Sequence, residues 1–181
     1  MKKFCLNYDF SKSSEKICEI LHAVLDKRLP VIVCIGTDAV AGDCLGPLVG
    51  SILKESLLGK TYVFGTVESP VTAKEVQMVA EIVENAYPYS PVLAIDAALG
   101  CVDEIGSLKI ADCPIRPGLG VDKNLKTIGT ASIMGVVEDK ERGKNLLGAV
   151  RFSLVYKMAK AIASGVFKYV NSIDGVQLDV K

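Results

Sequence analysis

Residues 31–47 read VIVCIGTDAVAGDCLGP, and this stretch determines the class of fold. It begins with a continuous apolar run rich in β-branched side chains, which is typical of a strand buried on both faces. A loop with two aspartates follows, and residues 45–57 then show the apolar spacing of an amphipathic helix. A strand, a loop and a helix in this order begin a βαβ unit, so the sequence predicts a parallel sheet.

Outward from this stretch, strands and amphipathic helices alternate along the chain. Further strands are predicted at residues 61–66, 92–97, 106–111 and 131–137. Three further helices are predicted. The first covers residues 13–28, the second begins at a capping box formed by Thr72 and Glu75, and the third begins at a cap at Asn145. This order predicts one domain over residues 1–181, a three-layer α/β/α sandwich with a mostly parallel central sheet. The tail beyond Asn171 is weakly patterned, and we expect it to be mobile.

The composition excludes several classes of protein. Half of the 181 residues are hydrophobic, and Lys plus Arg equals Asp plus Glu at 21 each. A chain with this share of apolar residues is not disordered. Because the chain has no net charge, there is no general electrostatic case for binding nucleic acid or an anionic membrane. No apolar run reaches the ~20 residues of a membrane span, and the N-terminus lacks the apolar region of a signal peptide. We therefore expect a cytoplasmic protein.

Histidine and cysteine limit the possible chemistry. His22 is the single histidine, so any Ser-His-Asp or Cys-His mechanism, and any metal site with imidazole, would have to use it. Its place beside the apolar stripe of the first helix favours a partly buried structural role. The six cysteines form no C-x-x-C pair, which argues against a zinc ribbon or a thioredoxin-like site. Cys44 precedes a predicted helix but has no histidine at hand to activate it.

Acidic side chains are the best candidates for a functional site. In an open α/β sheet, sites lie at the carboxyl ends of the strands. Asp38 and Asp43 follow the first buried strand, Glu68 follows the second, and Asp96 lies near the end of the third. If the first and third strands are neighbours, Asp43 and Asp96 converge on one edge of the sheet.

Two converging carboxylates have three common uses. They share a proton and activate a water molecule, they hold a divalent cation, or they are structural. Asp43 could cap the helix that follows it, and Asp96 could bond to loop amides. If the helix begins at Pro47, then Gly46 is its cap and Asp43 remains free. The metal alternative would gather all four acids named above around a hard cation such as Ca²⁺ or Mg²⁺.

Several motifs resemble those of known families. Residues 36–50, GTDAVAGDCLGPLVG, resemble the signature of the YyaC-type sporulation proteins, and the similarity continues in GTVESPVTA, PGLGVDK and GTASIMGVV. Those proteins are similar to the germination protease of spores and, more distantly, to the HybD-like hydrogenase maturation endopeptidases. The resemblance implies a HybD-like fold of the phosphorylase/hydrolase-like type.

The resemblance also implies a site and a function. Asp43 stands where the germination protease has its first essential aspartate, and Asp96 lies in the Ile-Asp-Ala segment that holds the second. The implied function is an atypical aspartic endopeptidase of the spore or forespore interior, acting on a protein or peptide such as a small acid-soluble spore protein. No cofactor, nucleic acid or membrane partner is expected. The expected supporting or substrate-binding residues are Gly36, Thr37, Asp38, Gly46, Glu68, Gly118 and Gly120.

The chain departs from these families at a histidine. The maturation endopeptidases use two acids and a histidine, but the later part of this chain has no histidine. YyaC-type chains tend to carry a histidine in the P-V-x-A segment, where this chain has Thr72. Nickel-guided processing is therefore not expected. A non-catalytic binding or regulatory protein on the same fold is the alternative to a peptidase.

Overall fold

The computed structural model describes residues 1–6, 12–117, 127–142 and 150–173. Within them lies a six-stranded sheet. Its strands are β1 (Lys3–Leu6), β2 (Val31–Cys34), β3 (Val63–Phe64), β4 (Val92–Gly100), β5 (Leu108–Ala111) and β6 (Ala131–Asp139). The α-helices are α1 (Ser13–Val24), α2 (Leu45–Ser56), α3 (Val76–Ala86) and α4 (Phe152–Ser172), and short 3₁₀ turns lie at Ala41–Cys44, Val102–Glu104 and Lys140–Arg142.

The strand order in the sheet is β1-β5-β6-β4-β2-β3. Three neighbouring pairs are parallel: β6 with β4, β4 with β2, and β2 with β3. The other two pairs, β5 with β6 and β1 with β5, are antiparallel. The predicted α/β fold with a mostly parallel sheet is confirmed. The antiparallel strand β1 was not predicted, because its short stretch alternates between exposed and half-buried residues and has no strong apolar run.

Helices cover both faces of the sheet, which gives the predicted three layers. α1, α2 and α4 pack on one face, where Ile32 and Cys34 of β2 point into the larger apolar core. α3 packs on the other face against Val31 and Val33. Every residue of β2 is buried because both of its faces are covered, which explains its continuous apolar sequence. The face covered by α3 buries the predicted stripe of Val76, Val79, Ala80 and Val83.

α2 lies unusually close to the sheet. A Cβ atom added to Gly50 would lie 1.7 Å from the carbonyl oxygen of Gly65, so the helix and the chain after β3 touch backbone to backbone. Glycine is required here because any side chain would force the two backbones apart. The first turn of α2 lies equally close to the end of β2, since a Cβ atom added to Gly46 would lie 2.0 Å from the carbonyl oxygen of Ile35.

Some predicted boundaries were wrong. The second strand is only Val63–Phe64 instead of residues 61–66, because Gly65 adopts a φ of 85° and turns the chain. The first helix ends at Val24, before a turn in which Asp26 and Lys27 have φ angles of 49° and 57°. β4 continues to Gly100 because it pairs with β6 along its whole length.

The predicted helix starts also need correction. α4 begins at Phe152, after an extended Arg151, whereas Asn145 lies outside the described residues. The capping box lies in the turn before α3, where the Thr72 N–H donates to Glu75 Oε2 at 3.0 Å. The helical residues continue to Ser172, and those from 174 onwards are outside the described part of the chain. None of the helices described is long and apolar enough to cross a membrane.

Gly50→Ala should destabilise the protein by about 1–3 kcal/mol, because the added methyl group must displace backbone. The sign of the change in the free energy of unfolding is informative, since replacing glycine with alanine in an uncrowded helix stabilises a protein by about 1 kcal/mol. Urea unfolding of the two proteins measures the difference. Lys54→Ala, at an exposed position of the same helix, is the matched control and should change stability by less than about 0.5 kcal/mol. A Gly50→Ala protein as stable as the parent would contradict the close contact.

Candidate active site

The adjacent parallel strands β2 and β4 bring the two candidate aspartates to one edge of the sheet. Their pairing ends where Cys34 lies opposite Ile95, and Asp96 is the next residue of β4. Asp43 belongs to the 3₁₀ turn Ala41–Cys44, which connects the end of β2 with α2. The two acids are close enough for the charge of Asp43 to raise the pKa of Asp96. The convergence predicted from the topology is therefore what the structure has.

The loop after β2 folds back on itself and places Asp43. The N–H of Thr37 donates to the carbonyl oxygen of Asp43 at 3.2 Å, and the N–H of Asp43 donates to the carbonyl oxygen of Val40 at 3.0 Å. Gly36 has a φ of 136°, and a Cβ there would lie 2.0 Å from the Asp43 carbonyl oxygen. Only glycine suits this position, so Gly36 allows the loop to close against the backbone of Asp43.

Asp43 is not the cap of α2. The helix begins at Leu45, and the residue at its N-cap position is Cys44. The predicted helix start at residue 45 is confirmed, whereas the alternatives of a cap at Asp43 and a first turn at Pro47 are wrong, because the 3₁₀ turn leads directly into the helix. The carboxyl group of Asp43 is partly buried, and burial raises its pKa, with the backbone amide of Thr37 acting in the opposite direction.

Asp96 is the more strongly perturbed acid of the pair. Its side chain lies on the α3 face of the sheet with that of Ala94, because alternate residues of a strand share a face. Its Oδ1 accepts the N–H of Ala97 at 2.8 Å. Burial raises its pKa well above the ordinary range, and the nearby charge of Asp43 raises it further. Two such carboxyl groups favour a state in which they hold one proton between them.

The other predicted site residues differ in their burial and in their contacts with Asp43 and Asp96. Thr37 is half-buried and bonds to Asp43 through its backbone, and Gly46 is buried in the first turn of α2. Asp38 and Glu68 are exposed, the latter in the loop after β3. Gly118 and Gly120 lie outside the described residues.

The acids do not form the predicted metal cluster. Among the residues the structure describes, no group of three or more His, Cys, Asp or Glu side chains is arranged to hold a metal ion. A hard cation prefers six or more oxygen ligands, of which protein carboxylates are the main source. The geometry of the described residues therefore gives no support to the alternative of a cation held jointly by Asp38, Asp43, Glu68 and Asp96.

Cys44 and His22 are not placed for nucleophilic catalysis. The thiol of Cys44 is buried, and burial together with the charges of Asp38 and Asp43 raises its pKa, which disfavours the reactive thiolate. His22 lies between α1 and α4, where its Nε2 is 2.9 Å from the hydroxyl of Ser172. These helix ends lie near the start of β2, at the opposite end of the sheet from Asp43.

Two acids that the sequence pattern did not single out are buried at the end of β6. Glu138 is 8% exposed and Asp139 is 6% exposed. Each accepts a backbone N–H, from Asp139 at 2.8 Å and from Glu141 at 3.0 Å respectively. In the ladder between β4 and β6 they lie opposite Leu99 and Gly100, further along than Asp96. They therefore lie at the end of the strand and not beside Asp43 and Asp96. A run of apolar residues followed by two acids was the available signal, but it is typical of any strand end.

Asp96→Asn should raise the free energy of unfolding at pH 7. An acid with a raised pKa stays protonated in the folded protein while the unfolded chain ionises, so folding loses stability as the pH rises above the unfolded value. Asparagine keeps the oxygen that accepts the Ala97 N–H and cannot ionise. The gain should disappear near pH 3, where aspartate is protonated in both states.

Urea unfolding at both pH values measures this difference. Asp38→Asn, which changes an exposed carboxylate, is the control and should alter stability by less than about 0.5 kcal/mol at pH 7. An Asp96→Asn protein less stable than the parent at pH 7 would show that the structure needs the ionised carboxylate.

Comparison with a solved structure identifies the fold. A crystal structure of a [NiFe] hydrogenase maturation protease, HycI from Thermococcus kodakarensis KOD1, matches with a TM-score of 0.53 and 16% sequence identity. The match covers 84% of this chain and 99% of that chain. At this identity the likeness concerns the fold alone, and it confirms the expected HybD-like architecture.

Comparison of sequences identifies the family. An uncharacterized protein, YyaC of Bacillus subtilis (strain 168), is 39% identical over 137 residues, which cover 75% of this chain and 67% of the relative. The resemblance to YyaC-type proteins is therefore confirmed. A family described as "Protein of unknown function (DUF1256)" matches residues 5–165. The chain belongs to the DUF1256 family.

Proposed function

We propose that the protein is a peptidase that hydrolyses peptide bonds with Asp43 and Asp96. The observation that carries the proposal is the placement of two partly buried, electrostatically coupled carboxyl groups at the carboxyl edge of the sheet. This is where open α/β sheets place their sites. The fold shared with a maturation protease supports the same class of reaction.

The two acids divide the chemistry according to their surroundings. Asp96, with the more strongly raised pKa, holds the proton on the oxygen that does not accept the Ala97 N–H. Asp43 is the ionised partner and acts as the general base. It takes a proton from a water molecule, which attacks the peptide carbonyl carbon while Asp96 donates its proton to the carbonyl oxygen.

Collapse of the resulting diol restores both acids. Asp43 gives the proton to the amide nitrogen, the C–N bond breaks, and Asp96 recovers a proton from one hydroxyl of the diol. Proton transfer by positioned acids and bases of this kind accelerates reactions by roughly 10²–10⁴-fold. The low polarity of the site strengthens the effect, because it keeps one proton on the pair.

The reaction uses no imidazole, which agrees with the residue at position 72. The hydroxyl of Thr72 accepts the N–H of Lys74 at 3.2 Å, and its own N–H donates to Glu75. Thr72 therefore has a structural role before α3. From the resemblance to the germination protease, we propose that the substrate is a small acid-soluble spore protein and that the protein acts inside the spore.

Incubation with purified small acid-soluble spore proteins should give defined cleavage products by mass spectrometry. Asp43→Asn and Asp96→Asn should each lower kcat/KM by at least about 100-fold, the lower end of acid–base contributions. Glu55→Gln, an exposed acid on α2, is the control and should keep full activity. Circular dichroism and thermal unfolding establish that the variants fold.

The outcomes separate the peptidase from the non-catalytic alternative. Equal cleavage by the parent and both Asn variants would show that a different group or a contaminant does the chemistry. Absence of cleavage by a folded parent protein would favour a binding or regulatory role, for which the acid pair serves only as a recognition element.

A further inference from the structure

We infer that the substrate binds as an extended strand along the free edge of β4, beside Asp96. This inference rests on the proposed function and specifies how the site takes its substrate. The ladder between β4 and β2 ends at Ile95, whereas the ladder between β4 and β6 continues to Gly100. One edge of β4 therefore has no neighbouring strand, among the described residues, from Ala97 to Gly100.

The backbone groups of this edge can be assigned. The carbonyl oxygen of Ile95 accepts the N–H of Ile35 at 2.7 Å, so Ile95 directs its backbone groups towards β2. Alternate residues of a strand direct these groups to the same side, which places those of Ala97 and Leu99 on the free edge. The register shift between Ala98 and Leu99 leaves its extra residue, Val137, on β6, so the alternation along β4 continues through it. The Ala97 N–H is already bonded to the carboxyl group of Asp96.

Three backbone groups remain open for pairing. They are the carbonyl oxygen of Ala97 and both the N–H and the carbonyl oxygen of Leu99, which the alternation directs away from β6 and which, among the described residues, bond to no backbone group outside that ladder. Unpaired strand groups are a template for a further strand, and peptide recognition by strand addition uses such edges. Residues 96–99 are also partly exposed, so the edge is accessible from solvent.

The side chains along this edge leave room for a peptide. Ala97 packs towards the larger core, and Ala98 shares the face of Asp96. Methyl groups at both positions leave space where the substrate backbone would lie. The outer strands β1 and β3 have free edges too, but neither adjoins the acid pair. The edge of β4 is therefore the one that delivers a bound peptide carbonyl to Asp43 and Asp96.

This mode of binding defines the class of substrate. Strand addition requires a segment of several consecutive residues in extended conformation with free N–H and C=O groups. A flexible or locally unfolded segment meets this requirement, whereas a helix does not, because its backbone groups are already paired. The substrate is thus an extended stretch of polypeptide, recognised mainly through its main chain.

Amide exchange at Leu99 tests the inference. The full-length Asp43→Asn protein is ¹⁵N-labelled and mixed with a small acid-soluble spore protein, and hydrogen exchange is followed by NMR. The Leu99 N–H should exchange at least about tenfold more slowly in the complex, since one added hydrogen bond of about 1.4 kcal/mol is a tenfold effect. The measurement needs no change at the edge itself.

A pair of substitutions provides the second test. Leu99→Pro removes the free N–H and should weaken binding of the labelled spore protein by about tenfold, whereas Leu99→Ala keeps the N–H and should bind nearly as the parent does. Proline is tolerated there because the lost N–H pairs with no strand. Fluorescence anisotropy measures both affinities in the Asp43→Asn background.

The results distinguish this inference from the proposed function. Slower exchange at Leu99 without cleavage by the parent protein would support edge binding and contradict the peptidase. Cleavage by the parent with unchanged exchange at Leu99 and equal affinities of the two Leu99 variants would overturn edge binding and leave the peptidase intact. Unchanged exchange and no cleavage would overturn both.

Discussion

The hydrogen-bonded ladder between β2 and β4 ends at Cys34 and Ile95, and the candidate site depends on where it ends. Beyond that point the chain after β2 turns away at Gly36 and forms the loop that carries Asp43. β4 continues straight and presents Asp96. A ladder longer by two residues would cover Asp96 with β2 and close the edge on which we expect the substrate to bind.

The packing around this point keeps the two acids in an unfavourable environment. α2 touches the chain after β3 without intervening side chains, and the loop closes through the bond between Thr37 and Asp43. Burial then raises the pKa values of both carboxyl groups, and the charge of Asp43 raises that of Asp96 further. Such an arrangement lowers the stability of the fold, and the large apolar cores on both faces of the sheet offset this loss. The pair retains a proton under conditions in which exposed aspartates are ionised.

Much of this could be predicted from the sequence. The apolar run of β2 and the helix after it indicate the parallel sheet, and the positions of Asp43 and Asp96 after two strands indicate their convergence. Other features depend on contacts between distant parts of the chain. β1 has no apolar pattern of its own because it pairs only at the outer edge with β5. The length of β4 is set by its ladder with β6, so its free edge was not foreseen.

The charge of Asp43 acts on Asp96 through space, and NMR titration of ¹³C-labelled aspartate carboxyl groups measures this coupling. In the parent protein, the pKa of Asp96 should lie well above the ordinary value of about 4. In Asp43→Asn it should fall, because the neighbouring charge is gone, but it should stay above the ordinary value because burial remains. An Asp96 that titrates near pH 4, or whose pKa is the same in both proteins, would contradict the account.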